Sequence, residues 1–467
     1  MKFLKLSLAA SIALGAFSTA SFAQPLEEAI KGIDVSGYLR YRYNDDRYDY
    51  GNDSVGGNAT HRWRAVADFK TPVVNNVAIN LGIWYNNDDN NVNHGNGQQT
   101  TPPTPGTGTG LGSGSDGSFG VRTFYATITP DSTATTIMIG KQELNTPVTN
   151  AYDGDRGTGI LALNNDIEGL TLVAGAFDSW MINDIEFIDP VTDQEFANSV
   201  TKPLYTLAGI YNVDTAYGNF GGQLWGFYIQ DAVDALVFGE LSWKGSLFNA
   251  KAQYSYASIN NDADSLMNSL YNSSAGAATK HADISESNDL AVIELGANFK
   301  NDFQLPLDMR IGYITNFADG TAVALENEGT NMARAGKIWW QNSATGISTS
   351  ALDGQGVWGI GTEQQIDVFY ANVNYGFIDE RLNLGLDFAW GKNKIDYSKN
   401  AVAHQSTNEK REFMEITPTI SWKHSKQLTL STYYAFLNTE YSGKVWEGSN
   451  QPDEDRNRFR VEAKYSF

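Results

Sequence analysis

The chain has no cysteine. Disulfides, thiolate metal sites and a lipid-modified cysteine anchor are therefore excluded. Long apolar runs are also missing. The only continuous one, Leu6 to Ala16, follows Lys2 and Lys5 and precedes Ser21-Phe22-Ala23. That is the layout of a secretory leader with a small-x-small cleavage site, so residues 1–23 read as a signal peptide and the exported chain as starting at Gln24. The run is too short to span a bilayer, and no later stretch of about 18 apolar residues reads as a membrane helix.

Positive charge is scarce. Lys and Arg number 33 against 54 Asp and Glu, for a formal net charge of −21, and loss of Lys2 and Lys5 makes the remainder more acidic. Nucleic acid is excluded as a partner on this balance, while cations are attracted. Histidine is rarer still. His61, His94, His281, His404 and His424 stand apart from any serine and carboxylate at suggestive spacing. A nucleophilic hydrolase site is not indicated, and the chain does not read as an enzyme.

Strands are plentiful. Val35, Gly37, Leu39, Tyr41 and Tyr43 alternate with Ser36, Tyr38, Arg40 and Arg42, which a period of two places on opposite faces. Eighteen such segments are predicted, at 34–43, 61–70, 76–86, 119–129, 133–141, 157–163, 167–178, 204–213, 219–230, 234–244, 247–258, 288–300, 305–316, 364–377, 381–392, 410–423, 426–439 and 457–467. A short helix is expected over Pro25 to Gly32.

The connections alternate in length. Those near 71–75, 130–132, 164–166, 214–218, 245–246, 301–304, 378–380 and 424–425 are short. Those at 44–60, 87–118, 142–156, 179–203, 259–287, 317–363, 393–409 and 440–456 are long, with 231–233 the short exception among them. Short turns at one end and long loops at the other are the asymmetry of an outer-membrane barrel. The fold class is thus all-β, a transmembrane antiparallel barrel of about eighteen strands. Its outward band of Leu, Ile, Ala and Val faces lipid. Its inward faces of Arg, Lys, Asp, Glu, Asn and Gly face water, and a lumen of this strand number is wide enough to hold it. The final strand alternates down to Phe467, the kind of terminus read by barrel assembly machinery.

The stretch Gly140 to Gly159 interrupts this regularity. It carries Glu143, Asp153 and Asp155, with Arg156 and Lys141 as nearby counter-charges. Residues near 142–157 are expected to fold into the barrel mouth as a constriction loop. The expected acidic constriction is Glu143, Asp153, Asp155, Glu186 and Asp189. The expected basic wall is Arg40, Arg42, Arg62, Arg64, Arg460 and Lys464, because the first, second and last strands become neighbours on closure. Acids across from this wall would set up a transverse field. A pair at about 10 Å in water is worth only about 0.4 kcal/mol, so the acid surplus predicts weak cation preference. Asp153-Gly154-Asp155 with a carboxylate from another loop could also hold calcium.

Several stretches resemble the major outer membrane porins of Campylobacter and its relatives. They are Pro25-Leu-Glu-Glu-Ala-Ile-Lys-Gly-Ile-Asp-Val-Ser-Gly-Tyr-Leu-Arg-Tyr-Arg-Tyr43, Gly140-Lys-Gln-Glu-Leu-Asn145, Gly157-Thr-Gly159, Asn164-Asn165, Ile167-Glu-Gly-Leu-Thr-Leu172 and Gln223-Leu-Trp225. The long second loop and 317–363 depart from the family. The resemblance implies a trimer of eighteen-stranded barrels in lipid and lipopolysaccharide, with a narrow, moderately cation-preferring pore. It also implies calcium held in the pore by loop carboxylates. Asp153 and Glu326 match that pattern, and Asp189 or Glu186 is the third candidate. No cofactor is required beyond this. Two other functions fit the residues: a substrate-specific channel for small charged solutes, drawn by the arginines, and a surface adhesin built on the barrel.

Overall fold

The computed structural model describes residues 32–49, 55–86, 118–151, 154–181, 186–188, 195–197, 202–260, 262, 265–266, 285–325, 332–340, 363–396, 408–443 and 453–467. The leader and the expected helix before Gly32 lie outside these residues.

Among the described residues twenty strands form. They are β1 (Asp34–Asp49), β2 (Val55–Lys70), β3 (Val77–Asn86), β4 (Ser118–Ile128), β5 (Thr135–Glu143), β6 (Arg156–Asn164), β7 (Leu170–Met181), β8 (Glu186–Ile188), β9 (Glu195–Ala197) and β10 (Leu204–Thr215). The rest are β11 (Gly218–Ile229), β12 (Val233–Lys244), β13 (Phe248–Ile259), β14 (Ser287–Asn298), β15 (Leu307–Thr315), β16 (Glu363–Phe377), β17 (Leu382–Asp396), β18 (Asn408–Lys423), β19 (Leu428–Gly443) and β20 (Glu454–Ser466). Eighteen make one antiparallel sheet of sequential neighbours that closes on itself through β1 and β20. β8 and β9 form a separate small hairpin. Closure ends in a reciprocal pair of backbone hydrogen bonds between Gly37 and Phe467, at 3.0 and 3.1 Å. All eighteen expected strands are present.

The two faces sort as the alternation requires. Leu39, Leu207, Leu224, Leu241, Ile293 and Ile311 are exposed, while their chain neighbours point into the barrel. Exposed apolar side chains on the outside of a closed sheet are what lipid requires. Aromatic residues edge this band at both heights. Phe220 stands near the short-turn end of β11 and Tyr228 near its other end. Eight residues separate them, roughly 26 Å along the strand, comparable with the apolar height of such barrels. Tyr228 stacks on Tyr205 of the adjacent strand, centroids 6.2 Å apart.

The short turns are set by local chemistry. Asn75 and Asn76 both adopt positive φ, 51° and 65°, and Val74 and Val77 exchange hydrogen bonds of 2.9 and 3.0 Å around them. This is a two-residue hairpin of the kind asparagine tolerates. Between β14 and β15 a single helical turn, α1 (Lys300–Phe303), ends at Gln304 in the left-handed region. Neighbouring turns are tied together. The Asp166 carboxylate accepts bonds from the Thr133 hydroxyl, the Ala134 amide and Asn164 Nδ2, and Asn76 donates to Asp131 at 3.0 Å.

Two features differ from the sequence reading. The first long loop, expected over 44–60, is mostly strand: β1 and β2 pair from Asp34↔Lys70 up to Asp49↔Val55, so the hairpin continues beyond the bilayer. The inward faces are also not uniformly polar. Val173, Phe177, Leu204, Trp225, Phe227 and Phe238 point inward and are buried. Their partners are chain segments packed inside the barrel, which remove those faces from water.

Candidate functional site

Two chain segments fill part of the lumen. The first, described at residues 144–151 and 154–155, lies between β5 and β6 and is closed by its own bonds. Leu144 N–H donates to the Asp155 carbonyl at 3.1 Å, the Thr149 hydroxyl to the Leu144 carbonyl at 2.6 Å, and Asn150 N–H to the Asp155 carboxylate at 2.6 Å. Arg156 donates to the Ala151 carbonyl at 2.8 Å. Leu144 and Val148 then join one buried apolar cluster with Val173, Phe177 and Trp225 of the inner wall. Burial of such side chains, at about 1.5–3 kcal/mol each, favours the inward position.

The second segment lies between β15 and β16. Asp289 accepts the N–H groups of Phe317 and Ala318 at 2.8 and 2.7 Å. The Ser255 hydroxyl donates to the Val323 carbonyl at 3.1 Å. Leu325 N–H donates to the Val148 carbonyl at 3.0 Å, joining the two segments. Farther on, Ala333 N–H donates to Gln253 at 2.7 Å and Arg310 donates to the Arg334 carbonyl at 3.0 Å. Glu415 of β18 accepts the N–H groups of Lys337, Ile338 and Trp339. Trp339 stacks on Phe413, centroids 5.5 Å apart. The sequence reading missed this inward course. The apolar runs Ala322-Val-Ala-Leu325 and Ile338-Trp-Trp340 were its only signal.

The opposite side of the lumen is basic. The ladders put Arg40 across from Arg64 on β2 and from Lys464 on β20, and Arg42 across from Arg62 and from Glu462. Arg460 lies across from Asn44 and Arg458 across from Asp46. All six residues expected in the basic wall therefore share one inner face. Like charges set directly opposite one another destabilise a sheet, and the structure offsets them. Arg42 pairs with Glu462 at 2.8 Å and Arg458 with Asp46 at 2.6 Å. Arg460 Nε donates to Asn44 at 2.6 Å. Aromatic faces lie beside three of the wall's cations: Arg64 lies 5.6 Å from the Trp84 ring, Lys464 4.4 Å from Tyr38 and Arg460 5.3 Å from Tyr433, within cation–π range. Arg40 is 2% exposed. Arg122, Arg156, Arg456 and Arg458 extend the wall; of these the sequence marks only Arg156, as a counter-charge to nearby acids.

Of the five acids expected at the constriction, the structure describes the side chains of Glu143 and Asp155. Glu143 pairs with Arg122 and lies 3.8 Å from Arg156. Arg122 also holds Asp68 through two contacts, at 2.7 and 2.8 Å. Glu143 thus extends the basic wall as its counter-ion. Asp155 is 0% exposed and serves the loop's internal bonding, because an inward loop must satisfy its own amides. Lys141 donates to the Val121 carbonyl at 2.7 Å, away from that loop's acids. Asp153, Asp189 and Glu326 lie outside the described residues, as does the side chain of Glu186, whose backbone opens β8. Among the described residues no group of three His, Asp or Glu side chains is arranged to hold a metal ion.

A cavity of about 340 Å³ remains beneath the first loop, lined mainly by inner-wall residues of β5–β7, β10 and β11.

Among solved structures, OccAB4 of Acinetobacter baumannii is 12% identical, aligning over 93% of this chain and 98% of its own, with a TM-score of 0.56. OprD of Pseudomonas aeruginosa is 13% identical over 96% of this chain and 100% of its own, with a TM-score of 0.54. OpdK of Pseudomonas aeruginosa with vanillate is 12% identical over 93% and 99%, at 0.53. At such identities the likeness speaks for the fold. No curated protein matches. The profile of the Campylobacter major outer membrane protein family matches residues 1–465. The protein is a multi-pass resident of the outer membrane with a porin channel's architecture, and the chain belongs to the Campylobacter major outer membrane protein family.

Proposed function

We propose that the chain is a general-diffusion porin, passing ions and small hydrophilic solutes through a charged constriction with weak cation preference. The observation that carries this reading is the division of the lumen. Two inward segments pack against one side, and the other side stays lined by Arg40, Arg42, Arg62, Arg64, Arg460 and Lys464. The gap between them is where solutes pass. Arginines set in rows give anionic groups a track, while the chain's net charge of −21 concentrates cations at the mouths. Salt screens both over a Debye length of about 8 Å, so selectivity is weak. The chemistry is passive and uses no catalytic residue.

The arginine rows favour one second reading, a channel for small carboxylated solutes. Bidentate contact with guanidinium groups suits carboxylates. Assembly as a homotrimer in lipid and lipopolysaccharide, insertion through the terminal Phe467, and calcium held by Asp153, Asp189 and Glu326 belong to the same proposal. None is needed for conduction.

Single-channel recording in a planar bilayer under a salt gradient tests it. Conductance in groups of three steps with a cation-favouring reversal potential is expected. A folded, heat-modifiable protein without conductance overturns the porin. Current saturating with a carboxylate but not with chloride selects the second reading.

A further inference from the structure

The cavity beneath the loop at 144–155 is unlike the rest of the lumen. Its walls are apolar, supplied by Met138, Leu161, Leu163, Ile210, Trp225 and Phe227. Met138, Leu161, Leu163 and Ile210 keep partial contact with solvent, so the space is open to solutes in the channel. Packing the loop accounts for burial of Val173 and Phe177 but leaves about 340 Å³ unfilled.

Polar atoms converge on this apolar space. Gln142 is 2% exposed and Thr206 is 3% exposed. Gln142 Oε1 and Thr206 Oγ1 are both buried without a hydrogen-bond partner. Buried polar atoms are nearly always satisfied, so two such atoms lining one cavity point to a group that completes them. Tyr125 also lines it. Its hydroxyl accepts from Asn80 at 2.7 Å and keeps its own proton to give. Glu143, 39% exposed at its side chain, is the charged member of the lining, and Arg122 and Arg156 already neutralise it.

We infer that this cavity is a binding site for a small neutral ring compound, aromatic or alicyclic, bearing N–H or O–H donors. The ring displaces water from the apolar walls, Gln142 Oε1 accepts a donor, and Thr206 completes a second bond. Apolar walls with a few convergent polar groups are the usual make-up of a small-molecule site. An anion gains nothing there, because Gln142 and Glu143 offer acceptors. The basic wall and this cavity therefore sort solutes of different chemistry. The consequence for transport rests on the porin reading: a bound ring fills the space under the loop beside Glu143 and partly obstructs the channel.

The test uses the folded, full-length barrel and 4-hydroxybenzyl alcohol as probe, with benzoate and glycerol as controls. Channel recordings are expected to show partial blockades with the probe only. Thr206→Val should shorten their dwell time roughly fivefold, the effect of one hydrogen bond. Saturation-transfer NMR on the same samples reads binding even if no current flows, so failure of the porin leaves the site measurable. Transfer to the probe that Thr206→Val weakens supports the site. Absence of both blockade and transfer overturns it, as do responses unchanged by Thr206→Val. Equal blockade by benzoate assigns the effect to the basic wall instead, and equal blockade by glycerol removes the role of the ring.

Discussion

The Glu415 carboxylate, wholly buried inside the barrel, accepts the backbone N–H of Trp339 at 2.9 Å. The same carboxylate takes the amides of Lys337 and Ile338, and the Thr417 hydroxyl donates to it at 2.7 Å. One side chain on the barrel wall thus pins a loop across the lumen. Glu415→Gln removes the charge and turns one acceptor into a donor facing an amide. A charge-assisted bond contributes about 1.5–3 kcal/mol, so the inner segment should loosen while the barrel remains. Single-channel traces are expected to show larger, noisier conductance with an unchanged heat-modifiability band. A quiet trace identical to wild type would show that Glu415 does not restrain the loop.

Arg64 is one of the charges that make the wall basic. It sits opposite Arg40 and 5.6 Å from the Trp84 ring. Arg64→Gln removes one positive charge from the wall, where Arg64 is buried. At about 10 Å in water that charge is worth about 0.4 kcal/mol to a passing ion, against a cation and in favour of an anion, so its loss is roughly a fourfold rise in cation over anion permeability. Reversal potential at low salt measures it, and the shift should shrink as salt is raised.

Asp155 keeps the first loop folded. Its carboxylate takes the Asn150 amide at 2.6 Å, and its carbonyl takes the Leu144 amide. Asp155→Ala leaves the Asn150 amide unserved, at about 1–3 kcal/mol. Raised hydrogen exchange confined to residues 144–151 is the expected signature. Uniform exchange across β5 and β6 would mean that the strands, not Asp155, hold the loop.

Asp166 introduces a pH dependence at the short-turn end. Bonds from Thr133, Asn164 and the Ala134 amide hold its carboxyl below the ordinary value. A depressed folded-state pKa stabilises above the unfolded value, about 3.9 for aspartate, and that stabilisation is lost as pH falls through the folded value. Asp166→Asn should therefore lower the unfolding midpoint of the barrel at pH 7, and the difference should fade on acidification below about pH 4. A difference that grows with acid would contradict this assignment.

The barrel was readable because each strand carries its own signature. Phe248 to Tyr256 and Phe459 to Phe467 alternate apolar and polar without help from neighbours, and both adopt the predicted facing. The basic wall followed from closure, since Arg40, Arg62 and Arg460 meet only if β1 borders both β2 and β20. The inner apolar wall was not readable. Along Leu172 to Phe177 both faces are apolar, so periodicity does not say which faces lipid. Likewise, nothing local tells whether Ile338-Trp339-Trp340 lies on the surface or inside. That depends on Glu415 and Phe413, some 75 residues away. The pairing of Glu143 with Arg122 was hidden for the same reason.

The bond between Gly37 and Phe467 has a consequence for assembly. Every other strand pair joins near neighbours in the chain, whereas this seam joins its two ends. Loop-closure entropy grows with chain separation, so this seam is the last and least favoured junction to form. It also sets Arg40 across from Lys464, near the terminal Phe. The attractive pairs Arg42–Glu462 and Asp46–Arg458 lie farther along the same seam. The ion pairs that hold the two ends of the chain together thus stand along the seam away from the terminal Phe, where Gly37 and Phe467 close it with backbone bonds.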